Sequence, residues 1–113
     1  MGSLRKFIIV RTDFEAIHRW LECPFEDVSF LREFHRHKFF VEVKKQIEED
    51  RGIEFIMFQR EVKEFIRVAY EGKNLGAMSC ERIAEDILRF FEASSVSVWE
   101  DNENGSEICM TSL

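Results

Sequence analysis

The chain has 113 residues, enough for one domain with a single core, and is read as one unit over residues 1–113. Sixteen Lys and Arg against twenty-two Asp and Glu leave a formal charge of −6, which excludes the basic surface a nucleic-acid binder needs. Twelve Phe beside one Pro and five Gly exclude a disordered segment, and apolar runs such as Phe7–Val10 fall far short of the roughly 20 residues of a membrane helix.

The β-branched and aromatic run LRKFIIV, residues 4–10, predicts a first strand whose even positions, Ile8, Val10, Phe14 and Ala16, reach His18 if it stays regular. The segment WLECPFEDVSFLREF holds the only proline and predicts an irregular connection that leaves and returns. A second strand is expected from about His35 to Gln46, with Phe39, Val41 and Val43 on one face and Lys38, Glu42 and Lys44 on the other. His35 and His37 share the parity of the apolar face.

Beyond the turn-like EEDRG, the stretch IEFIMF is expected to be extended. Val62, Phe65, Ile66, Ala69 and Tyr70 then follow the stripe of an amphipathic helix. A second helix is predicted from Ser79 as N-cap, with Met78 and Ile83 as a hydrophobic staple and a stripe of Ile83, Ile87, Phe90 and Phe91. SVSVWE (95–100) and SEICMTSL (106–113), separated by DNENG, predict a terminal hairpin. The order ββααββ predicts an α+β fold with two helices on one face of a four-stranded antiparallel sheet.

Cys23, Cys80 and Cys109 are odd in number and form no C-x-x-C pair, so reduced thiols are expected. No basic-then-apolar leader is recognisable, which points to a cytoplasmic location. Cys80, at a helix start, can be read as a nucleophile or as a buried structural thiol, and no histidine near it in sequence supports the former.

His18, His35 and His37 are the whole imidazole content of the chain. Three such nitrogens with one open position make a catalytic zinc arrangement, whereas H-x-H alone is a weak signal that more often marks a solvated or hydrogen-bonded strand end. Glu100 shares the parity of Val96 and Val98; a carboxylate on that apolar side needs hydrogen-bond donors, unless the strand has already ended and it is solvated.

The succession FEAIHRW, FHRHKFFVEV, SCERIAEDI and VSVWEDN resembles the 6-pyruvoyltetrahydropterin and 6-carboxytetrahydropterin synthase family over nearly the whole chain. The resemblance implies the tunnelling fold, ββααββ, with a barrel completed by oligomerisation into a homotrimer or a homohexamer. It implies Zn2+ held by His18, His35 and His37, with Arg36 where the family has glycine between the last two. It also implies a pterin substrate anchored by the Glu100 carboxylate, with Ser79 and Glu81 standing in the family's substrate-binding Pro-Thr-x-Glu-Asn segment.

Departures from the pattern fall on the acid/base set. The family's catalytic cysteine, four residues before the first histidine of the His-x-His pair, is replaced by Leu31; Glu33 lies near, out of register, as a substitute base. The family's Asp-His relay aligns with Glu71 and Gly72, which keeps a carboxylate and loses the imidazole. The implied activity is that of a carbon–oxygen lyase: a zinc-dependent enzyme acting on dihydroneopterin triphosphate with elimination of triphosphate. The alternative is a catalytically impaired pterin- or purine-binding or scaffold homologue that keeps zinc and fold, since losing a base costs about 10²- to 10⁴-fold in such proton transfers.

Overall fold

Burial alternates along β-branched and aromatic residues from Lys6 to His18, and this stretch forms one long strand, β1 (Lys6–His18). The computed structural model describes residues 2–111. β2 (His35–Ile47) pairs antiparallel with β1 along its whole length, from Lys6 opposite Ile47 to His18 opposite His35. Between them the chain makes an irregular excursion with a 3₁₀ segment at Glu26–Arg32. Its neck is closed by a 2.6 Å bond from the Trp20 amide to the Leu31 carbonyl, and by the Arg32 side chain donating to the Cys23 carbonyl at 2.9 Å. The excursion therefore returns the chain to the point it left, which places β2 beside the end of β1.

Two helices follow, α1 (Phe55–Ala69) and α2 (Cys80–Phe91), then β3 (Ser95–Glu100) and β4 (Asn104–Cys109). The sheet runs β1-β2-β3-β4 and is antiparallel throughout. One apolar cluster joins sheet and helices: Ile8, Val10 and Phe14 of β1, Phe39, Val41 and Val43 of β2, Val96 and Val98 of β3, Phe58, Val62 and Ile66 of α1, and Ile83, Ala84 and Ile87 of α2. Burying each large side chain of that set contributes about 1.5–3 kcal/mol. Both helices therefore lie on one face, as the alternation requires. Among the described residues no helix is long and apolar enough to cross a membrane.

Three expectations need correction. IEFIMF is not extended: the Glu54 carboxylate caps the amides of Ile56 and Met57, and α1 starts at Phe55. Phe58, Val62 and Ile66 fall at i, i+4 and i+8, so helical burial of Phe58 overrides the local β-propensity. Phe90 is not on the buried stripe of α2; it is 65% exposed and packs on Phe65, ring centroids 4.4 Å apart, while Cys80, Ala84 and Leu88 join Ile83 and Ile87 inside.

The last strand also starts earlier than 106 and ends at Cys109, with Ser112 and Leu113 outside the described residues. Asp101 and Asn102 take the left-handed conformation the turn needs, at φ 53° and 57°. Gly105 lies in the strand opposite Trp99, and a Cβ there would run into the Val98 carbonyl oxygen, so the position requires glycine. The predicted cap of α2 is present, with the Ser79 hydroxyl accepting from the Arg82 amide at 3.1 Å.

Candidate metal centre

Strand register brings the three histidines together. His18 ends β1 directly opposite His35, the first residue of β2, and His37 follows two positions on along the same face. Phe39 pairs with Glu100, so β3 sets that carboxylate at the same end of the sheet. Ring centroids lie 4.5 Å apart for His18 and His35, 4.8 Å for His35 and His37, and 5.4 Å for His18 and His37. One ligand atom from each of His18, His35, His37 and Glu100 falls within 4.8 Å of all the others.

Each imidazole is held through its Nδ1. His18 Nδ1 lies 2.9 Å from the Met78 carbonyl oxygen, His35 Nδ1 2.9 Å from that of Glu33, and His37 Nδ1 2.6 Å from Oδ2 of Asp101. Carbonyls and carboxylates only accept, so Nδ1 carries the proton in all three rings. In the neutral tautomer every Nε2 is then a bare lone pair. Nε2 of His18 and of His35 are buried and make no hydrogen bond, and His18 is only 8% exposed. An orphaned buried polar atom costs about 1–3 kcal/mol, which a metal ion accepting those lone pairs would offset. Donor set and buttressing both fit zinc, whose histidine ligands characteristically donate their other N–H to a carbonyl or carboxylate.

Glu100 sits among these nitrogens, its Oε2 2.7 Å from His18 Nε2 and 3.3 Å from His37 Nε2. The shorter contact is close without being directed as a hydrogen bond, since Nε2 of His18 has no hydrogen-bond partner. The His18 imidazole holds the Glu100 carboxyl below its ordinary range, against the opposing effect of burial, with the charges of His37, His18 and His35 adding to the shift. For His18 burial is the largest single influence and pulls its pKa down; contact with Glu100, the Met78 carbonyl and the Glu100 charge together outweigh it, so the value is raised. The Asp101 carboxyl is held low by His37 and by the Lys38 amide, which donates to Oδ1 at 3.1 Å.

A hollow of about 410 Å³ opens onto the cluster, within the usual range for small-molecule sites. His18, His35 and Glu100 line it together with Ser79 and Glu81 from the start of α2. Ser79 is engaged in capping the helix, and Glu81 accepts from the Ser106 hydroxyl at 2.6 Å. Leu31 also lines the hollow, an apolar group where the family pattern has its thiol. The Cys80 thiol, another neighbour of the hollow, is pushed up to about 12 by burial and by the charges of Glu100 and Glu81, and so stays protonated.

The two carboxylates assigned an acid/base role lie elsewhere. Glu33 is exposed and contributes only its backbone carbonyl, to His35. Glu71 is exposed on the outer side of β1, in a separate hollow with Glu15, Arg36, Lys38 and Lys73. Within one chain neither joins the histidine cluster. Sequence reasoning missed Asp101 and the Met78 carbonyl. Asp101 stands out in sequence only as the residue following Glu100; its partnership with His37 needs the β2–β3 register, which sets the Asp101 amide on the Lys38 carbonyl at 2.8 Å.

No protein-family model matches the sequence, and no curated protein is significantly similar to it. Solved structures do match. The 6-pyruvoyl tetrahydropterin synthase of Caenorhabditis elegans superposes with a TM-score of 0.74 at 13% identity, covering 96% of this chain and 97% of the worm chain. The uncharacterized protein WS1659 of Wolinella succinogenes superposes with a TM-score of 0.63 at 18% identity, covering 95% of this chain and 99% of the other. At these identities the likeness establishes the fold: the chain has the ββααββ tunnelling fold of pyruvoyl tetrahydropterin synthase-like structures.

Proposed function

We propose that this protein binds Zn2+ through His18, His35 and His37 and is a pterin enzyme of the 6-pyruvoyl/6-carboxytetrahydropterin synthase type, eliminating triphosphate from dihydroneopterin triphosphate. The observation that carries the reading is the pair of buried, unbonded Nε2 atoms on histidines whose Nδ1 atoms are all satisfied. Zinc held there would supply Lewis-acid polarisation of the hydroxyl and carbonyl oxygens of the substrate side chain.

The chain's own residues divide the remaining work. The Glu100 carboxylate is kept ionised and is suited to accept from a ring N–H and its neighbouring amino group, the donor pair on the edge of a pterin. Ser79 and Glu81 flank it on the wall of the hollow. Proton movement at the side-chain carbons falls to Glu33 or Glu71, and since neither reaches the histidines within one chain, a loop movement or a second copy must supply it.

A second copy is favoured by the shape of the sheet. Among the described residues β4 has no strand on its outer side, and β1 is covered only near its end, where Gly72 donates to the Glu15 carbonyl and Leu75 to that of Ile17. Trp20, Leu21, Phe25, Phe30 and Phe34 are also exposed in the connection beside the site. A homotrimer or homohexamer closing the sheet into a barrel would cover such edges, and sedimentation of the purified protein tests it.

The second reading, a pterin- or purine-binding or scaffold protein that keeps the metal and has lost turnover, is favoured by Leu31 on the wall of the hollow and by the protonated Cys80 thiol. Incubating the zinc-loaded protein with dihydroneopterin triphosphate separates the two. Release of triphosphate removes the scaffold reading, and tight pterin binding without release removes the enzyme. A protein that takes up no zinc when supplied with it removes both.

A further inference from the structure

We propose that Glu100 is a fourth protein ligand, so that the centre of the free protein is a closed set of His18, His35, His37 and Glu100, which any external ligand must enter by displacing the carboxylate. The proposal rests on the metal part of the function proposed above and goes beyond it, because three histidines alone leave a position open to water or substrate.

Its basis is where the carboxylate stands and what it lacks. In a tetrahedral site with bonds of about 2.0–2.2 Å, neighbouring ligand atoms are about 3.3–3.6 Å apart. Oε2 of Glu100 is 3.3 Å from His37 Nε2, the spacing of neighbouring ligands, and 2.7 Å from His18 Nε2, so one oxygen lies between two of the nitrogens, and all four ligand atoms fall within 4.8 Å of one another. An ordinary imidazolium–carboxylate pair is the competing explanation. It accounts for the 2.7 Å contact with His18 and leaves unexplained why His35 and His37 also turn ligand atoms to within 4.8 Å of the same carboxylate. Among the described residues no Lys or Arg pairs with this carboxylate, and no hydroxyl or backbone amide donates to it. A half-buried carboxylate gathered with one ligand atom from each of three histidines, all within 4.8 Å of one another, is placed to meet a cation.

Closure changes what the centre can do. Three neutral imidazoles leave a divalent ion its full charge, whereas adding one carboxylate halves it and fills the position that water would take. The anchoring role of Glu100 then begins with its departure from the metal. A heterocycle presenting paired N–H donors would draw the carboxylate away and open the ion in the same exchange.

The test uses the full chain loaded with Co2+ in place of zinc, whose visible absorption reports coordination, and titrates it with azide. Wild type is expected to keep its spectrum, while Glu100→Ala gains an azide-dependent change and binds Co2+ about tenfold or more weakly. Glu100→Gln, which preserves side-chain shape, is expected to lose affinity in the same direction and guards against a misfolded Ala variant. An azide-dependent spectrum in wild type, or Co2+ affinity unchanged in both variants, overturns the closed set and leaves the three-histidine site intact. Wild type that takes up no more Co2+ than His35→Ala removes the metal reading itself, and this proposal with it.

Discussion

The β1–β2 hairpin has the same pairing at both ends and two different chemistries. At one end Lys6 faces Ile47, the Lys6 ammonium pairs with Asp50 at 2.9 Å in the open, and Lys45 donates to the Phe91 carbonyl at 2.6 Å. Polar groups there are exposed or partnered. At the other end His18 faces His35, and each imidazole is fastened by one nitrogen while Nε2 of two of them is buried without a partner. The hairpin does not require such groups to form. Fastening one nitrogen of each ring so that the others converge is the arrangement of a ligand site, paid for in stability by the rest of the sheet.

The largest break in that comparison should come from beneath the histidines. Phe39 is fully buried, with its ring edge-on to His18 at 5.3 Å and to His37 at 5.9 Å, and stacks on Phe14 at 5.0 Å. Phe39→Ala is expected to cost about 3–5 kcal/mol of metal-free stability in urea unfolding, with Phe39→Leu much milder. A small cost for Ala would mean that the histidine end is not packed as described.

Next in size is loss of the metal itself. His35→Ala should leave the metal-free protein about as stable as wild type, because the imidazole it removes carries an orphaned nitrogen. It should also abolish the stabilisation that zinc gives wild type, about 2.7 kcal/mol at one hundred times the dissociation constant. Thermal unfolding with and without zinc reads both quantities. Equal zinc stabilisation of the two proteins would show that His35 is no ligand.

Asp101→Asn sharpens the comparison at the next level out. Asn tolerates the left-handed conformation at φ 53°, but its single oxygen can accept from His37 Nδ1 or from the Lys38 amide and not from both, so the negative charge and one of the two hydrogen bonds are removed. Zinc affinity is expected to fall by about tenfold, the lower end for an outer carboxylate on a histidine ligand, and more for Asp101→Ala. Calorimetric titration checks the order; unchanged affinity in both would make the 2.6 Å contact incidental.

The histidine cluster was legible because strand parity is exact over two residues: positions 18, 35, 37 and 100 fall on the apolar face once β1, β2 and β3 are placed. The Ser79 cap was legible for the same kind of local reason. What failed depended on partners far along the chain. IEFIMF reads as a strand until Phe58 is joined to Val62 and Ile66, and Gly105 reads as a turn residue until the Val98 carbonyl is set against its missing side chain. Glu71 carried a plausible carboxylate by alignment, yet segment 72–75 docks on the outer edge of β1 and takes it to another hollow.

The smallest expected effect is also the one that separates a proton from a metal at the histidine end. In the metal-free protein His18 is raised above 6.5, so its contribution is complete below about 6.5 and fades as pH rises through the higher folded value. Glu100 is lowered below 4.5, so its contribution is complete above about 4.5 and is lost as pH falls through the lower folded value. Both are in force together only between about pH 4.5 and about pH 6.5, and metal-free stability should gain most from the pair in that window. With zinc bound the slope above it reverses, because protons compete with the ion for the imidazoles and affinity grows as they are removed. Melting temperatures of metal-free and zinc-loaded protein between about pH 5 and about pH 8 should therefore diverge as pH rises. Parallel curves would mean that the ion, if bound at all, is not held by the imidazole that Glu100 touches.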